Sequence, residues 1–149
     1  MHGIREKLLN IEKEYTVLDE FLNKGMDYLS TATQEALDEI YFVFEHIMKI
    51  SHQLFGKFAF RRLNTEERRG PVNKSIFEAW SLILLGLSDQ EIANLIKQKD
   101  LLRKRFTGLC NDYDFQNTMR ASDKTSVKSR INAIQTMVFG LIGRKTIND

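Results

Sequence analysis

Apolar residues recur every three or four positions through nearly the whole chain, and proline occurs once, at Pro71. Spacing of that kind lines one face of an α-helix, and proline is the residue that most often interrupts one. The chain is therefore expected to be all-α, a single array of five or six helices spanning residues 1–149. From Ile4 to about Met26 the stripe is Leu8, Ile11, Tyr15, Leu18 and Leu22. Gly25 weakens the end of that helix, and Thr31 and Gln34 have capping-box spacing for the next. The second stripe is Leu37, Ile40, Tyr41, Phe44, Ile47, Met48 and Leu54. Ser75 to Leu85 is apolar on almost every side, including Phe77 and Trp80, which marks it as a central helix covered by its neighbours. Trp80 and Phe77 are read as core rather than as bases' stacking partners.

Cap residues divide the rest. Asn73 suits the N-cap of the central helix, because its side-chain oxygen can accept an orphan backbone N–H. Gly86 and Ser88-x-x-Glu91 end that helix and start another, in which Ile92, Leu95, Ile96, Leu102, Phe106 and Leu109 continue as one pattern. Asn111 or Asp112 caps a short helix bearing Phe115 and Met119. Ser122-x-x-Thr125 introduces the last helix, with Val127, Ile131, Ile134, Val138 and Leu141 on one face and Gly143 at its end. Arg144 and Lys145 complement the negative end of its dipole.

The net charge of +2 conceals an asymmetry. Residues 1–54, an acidic helical hairpin, balance at −5, and residues 55–149 balance at +7. Residues 55–73 read as an aromatic and basic connector, and residues 74–143 as a basic helical part. Arg61, Arg62, Arg68 and Arg69 flank a turn in the connector. Lys124, Lys128 and Arg130 cluster at the start of the last helix. Cations in loops and at helix N-termini are where phosphates are held, so these seven are the candidate nucleic-acid ligands. The competing reading is a solvated surface, with Glu66 and Glu67 as partners, or a basic face covered by the acidic hairpin.

A catalytic reading finds little to hold. His46 and His52 lie six apart on one helix and project about 120° from each other, so no metal site is expected. Cys110, the single cysteine, is expected to be buried and structural, and it suits a reducing cytoplasm. The sequence has no nucleophile elbow, no phosphate-binding loop and no dinucleotide fingerprint. Arg5, Glu6 and Lys7 precede no hydrophobic stretch of the signal-peptide kind, and no apolar run is long enough to span a bilayer.

The segment Phe55-Gly56-Lys57-Phe58-Ala59-Phe60-Arg61 is followed by Pro71-Val72-Asn73-Lys74-Ser75-Ile76-Phe77-Glu78. Together they resemble the helical C-terminal part of the domain-of-unknown-function 262 family, the ParB-like component of GmrSD-type restriction systems. There an FGK-x-x-FR segment precedes a PINKALFE-like one. Phe21 to Leu29, Asp114-Phe115 and the run from Ser122 to Arg130 extend the resemblance over about residues 20 to 142. It implies a DNA-directed defence protein and an α/β nucleotide-binding domain or subunit as partner. The family's D-G-Q-Q-R motif and its HNH-type nuclease arrangement have no counterpart in this chain, so catalysis and cofactors are expected elsewhere. The shared positions Phe60, Asn73, Lys74, Phe77 and Glu78 are expected to be structural: Asn73 caps, Phe77 packs, and Glu78 pairs with Lys74 or, if buried, with Arg61. A module that docks a partner or a second copy, without touching nucleic acid, is the alternative.

Overall fold

The computed structural model describes residues 18–145 and bears out the all-α class. Its elements are α1 (Leu18–Thr31), α2 (Gln34–Phe55), a short 3₁₀ turn (Gly56–Phe58), α3 (Lys74–Gly86), α4 (Asp89–Lys97), α5 (Lys99–Asn111), α6 (Tyr113–Arg120) and α7 (Lys124–Ile142). The expected helical stretch from Ile4 up to Val17 lies outside the described residues. Among the described residues there are seven α-helices, not five or six, and no strand; a single antiparallel bridge joins Arg61 to Val72.

The count rises because the pattern from Ile92 to Leu109 breaks at Gln98. Its φ of −106° and ψ of 17° lie outside the helical well, so the axis is interrupted between α4 and α5. The Gln98 amide nitrogen donates to the Leu141 carbonyl at 2.9 Å, which fastens the break to the end of α7. No glycine or proline signals this break.

Most caps lie where the sequence puts them. Asn73 accepts from the Ile76 N–H at 3.1 Å, Ser88 and Glu91 form a complete capping box, and Asp112 accepts from Phe115 N–H at 2.8 Å. Gly143 ends α7 in the left-handed conformation at φ 72°, where a side chain would be strained. Two caps differ. Because α1 continues past Gly25 to Thr31, the Thr31 hydroxyl turns back to the Asp27 carbonyl, and Thr33 caps α2 instead. Asp123 rather than Ser122 caps α7, accepting from both the N–H and the hydroxyl of Ser126.

One apolar cluster draws from every helix between α2 and α7. α3 is the expected apolar helix and packs on α2 and α7, whereas α7 is the element that reaches α3, α4, α5 and α6. Trp80 sits at the middle, edge-on to Phe55 at 4.9 Å and to Phe106 at 5.3 Å. Edge-to-face pairs of this sort contribute about 0.5–1.5 kcal/mol beyond the area they bury. Among the described residues α1 does not pack along α2, so the expected hairpin is not seen there, and α2 departs from its stripe: Val43, Ile47, Ile50 and Leu54 are buried, but Tyr41 and Phe44 are exposed. No helix among the described residues is long and apolar enough to cross a membrane.

Candidate nucleic-acid interface

The connector is held at both ends. Phe60, at a φ of 59°, packs its ring on Phe77 with centroids 4.8 Å apart, and its carbonyl accepts from the Asn73 N–H at 2.8 Å. A bulky residue in the left-handed region is strained, and the two contacts hold it there. The result is a closed loop from Arg61 to Val72 seated on the start of α3. Inside it, the half-buried Arg61 donates from Nη1 to the Gly70 carbonyl. The Asn64 side chain braces the tip, donating to the Arg68 carbonyl at 2.8 Å and accepting from the Arg68 N–H at 3.0 Å, which keeps Glu67 at a φ of 52°.

The seven candidate cations divide into three groups. Arg62, Arg68, Arg69 and Lys128 are exposed, and Lys124 is half-buried. Arg68 meets Glu66 at 3.5 Å with both side chains in water, and such exposed pairs are worth no more than about 1 kcal/mol. Arg61 is committed to closing the loop. Arg130 is 3% exposed and is not a surface ligand at all. Its Nη1 donates to the carbonyls of Thr118 and Ala121, at 2.7 and 2.8 Å, and its Nη2 donates to Glu78 Oε2 at 2.7 Å.

This corrects two expectations together. Glu78 takes its cation from neither Lys74 nor Arg61, but from a residue 52 positions away on α7. Arg130 was grouped with Lys124 and Lys128 by proximity in sequence. Helical rotation of about 100° per residue instead turns it inward, onto the same face as Val127 and Ile134. The clasp joins α3 to α7 and closes over the last carbonyls of α6, groups that a helix end leaves without partners. Alongside it, the Ser75 hydroxyl donates to the Met119 carbonyl at 3.1 Å.

The loop also forms one wall of a groove of about 540 Å³, with Leu63, Asn64, Thr65 and Glu67 on that side. Phe58 contributes an apolar floor, and Asp100, Arg103, Lys104, Thr107, Gly108 and Asn111 line it from α5. Arg103 is set in place by its Nε, which donates to the Leu54 carbonyl at 2.6 Å. Lys104 is exposed. Neither cation is among the seven candidates that the sequence offers. Their signal was the run Arg103-Lys104-Arg105, whose meaning depends on what packs opposite. Arg62 reaches the end of the same helix, its Nη2 3.4 Å from the Cys110 carbonyl.

Cys110 is buried, and burial pushes its thiol above the ordinary value despite the Leu63 N–H and the Arg62 charge, which act the other way. A thiol held protonated is a poor nucleophile. His46 and His52 are both exposed. Among the described residues no three His, Cys, Asp or Glu side chains are grouped to hold a metal ion. No protein-family model, curated protein or solved structure matches the chain.

Proposed function

We propose that the chain is a non-catalytic helical module of a bacterial, cytoplasmic, DNA-directed defence protein of the restriction type, and that its part is to hold nucleic acid beside an α/β nucleotide-binding domain or subunit. The observation that carries this reading is the groove: Arg103 and Lys104 line it from α5, and the loop that forms its other wall through Leu63, Asn64, Thr65 and Glu67 also carries the exposed Arg62, Arg68 and Arg69, which do not themselves line it. The resemblance to the domain-of-unknown-function 262 family supports the same reading. Glu66, Glu67 and Asp100 temper the positive field, but a phosphate can displace a solvated carboxylate at little cost. Contact through phosphates would bring affinity without base readout.

A titration of labelled duplex DNA by fluorescence anisotropy tests it. With about three phosphates engaged, affinity should fall about forty-fold between roughly 50 and 200 mM salt. Absence of saturable binding at the lower salt would leave the second reading, a protein-interaction module with no nucleic-acid contact. The exposed apolar residues of α1 and α2 favour that second reading.

A further inference from the structure

We propose that the groove between the connector loop and α5 takes an unpaired stretch of nucleic acid, with a base in the recess and its phosphate on Arg103 and Lys104. The proposal rests on the nucleic-acid reading above and names the form of nucleic acid that the groove accepts. Asp100, Arg103, Lys104, Thr107, Gly108 and Asn111 follow one another at helical spacing, so they form one face of α5 about 16 Å long. Gly108 is the informative member of that face. Glycine is less favourable than alanine within a helix, and its use is where the backbone must turn or another group must come close. Gly108 lies inside a regular helix and is exposed, and a Cβ placed on it would meet nothing within 4 Å beyond its own helix. Neither a turn nor a neighbouring helix of this chain therefore calls for glycine there. Its missing side chain leaves a clear approach to the helix backbone from the groove.

The chemistry of the recess identifies what approaches. Its volume of about 540 Å³ is that of a small-molecule site, within the usual range of about 300–1,000 Å³. A base paired inside a duplex keeps its faces in the stack and cannot enter a recess of that kind, whereas an unpaired base can. Phe58 supplies an aromatic surface, and bases stack on such surfaces whatever their sequence. The exposed Lys57, with its Nζ 5.1 Å from the Phe58 ring centroid, adds a cation at the same place. The walls carry both signs. Arg103 and Lys104 suit a phosphate, while Glu67 and Asp100 are acceptors for the amino groups of a base edge. Phosphate alone would bring those carboxylates no donor, but a nucleotide supplies a partner for each sign. The exposed Arg62, Arg68 and Arg69 lie on the same loop outside the groove, available to the neighbouring phosphates of the strand.

The test uses the full chain and one labelled DNA strand of about ten nucleotides of mixed sequence, free or annealed to its complement, titrated at the same low salt. The free strand should bind about tenfold more tightly than its duplex, the scale of stacking one base on an aromatic ring. Gly108→Leu fills the recess from open space. It should bring free-strand affinity down to that of the duplex, leave duplex affinity unchanged and not lower the melting midpoint. Gly108→Ala should raise the melting midpoint and still weaken the free strand, a combination that a purely structural glycine would not give. Equal affinity of the two forms, or a free-strand preference that survives Gly108→Leu, would overturn the proposal while leaving the nucleic-acid reading in place. Binding of neither form would overturn both.

Discussion

The connector and the first turns of α7 carry the same guanidinium chemistry and put it to opposite uses. On the connector, Arg62, Arg68 and Arg69 point into water, with at most a weak exposed carboxylate or a long carbonyl contact. On α7, Arg130 is buried and spreads three short hydrogen bonds over two carbonyls and Glu78. Arg61 stands between these extremes, half-buried and bound to one carbonyl of its own loop. A basic residue in a sequence is thus not yet a basic surface. What decides its role is whether a helix rotation or a loop closure leaves the charge facing solvent. Cations that remain outside are free to meet phosphate, whereas those turned inside must be matched by acceptors or the fold loses stability.

The largest effect should come from Arg130. Arg130→Met removes the cation while leaving Glu78 and two carbonyls near it, and should cost about 3 kcal/mol. For a domain of this size that lowers the melting midpoint by about 10 °C. Adding Glu78→Met to that variant should recover part of the loss, since the uncompensated carboxylate goes with it. A melt unchanged in the single variant would break the contrast between inner and outer arginines. Arg61→Ala should cost about 1 kcal/mol, the scale of one net hydrogen bond. Arg68→Ala should shift stability by less than about 0.5 kcal/mol, because its partner Glu66 is fully hydrated. The order of the three melting midpoints checks the ranking in one experiment.

The acid end of the pH curve offers a smaller test on α7 itself. The N–H and hydroxyl of Ser126 hold the Asp123 carboxyl below its ordinary value. A depressed carboxylate adds stability above its unfolded value of about 4 and loses it as pH falls through the folded value. Asp123→Asn keeps a capping oxygen without the charge, so its melting midpoint should fall less steeply than that of the natural chain below about pH 4. Parallel curves would show that the cap's charge contributes nothing.

Elements governed by local rules were legible in the sequence. The apolar stripe of α7, the all-round apolar α3, and the caps Asn73, Ser88, Asp112 and Gly143 depend on residues within one or two turns of each other. The Gln98 break was not legible, because the amide that anchors it bonds to Leu141 on a distant helix. Nor was the Glu78–Arg130 clasp, since each residue has nearer oppositely charged or basic neighbours in sequence and only the packing of α3 on α7 selects the pair. The stripe of α2 was right for its second half and misleading for its first. Periodicity reports which residues share a face, and Tyr41 and Phe44 share one that stays exposed. Half of the candidate interface was similarly hidden: the connector arginines are visible as a cluster, whereas Arg103 and Lys104 line the groove only because α5 packs opposite Leu63, Asn64, Thr65 and Glu67 of the loop.

The most direct test of the central claim is a DNA titration of Arg62→Glu/Arg69→Glu against the natural chain, each at several salt concentrations. The account predicts an unchanged melting curve, a large loss of affinity, and a salt slope smaller in magnitude by about two, close to one for each lost phosphate contact. The same affinity and the same slope in both chains would contradict it, and the outward arginines would then be solvated surface and nothing more.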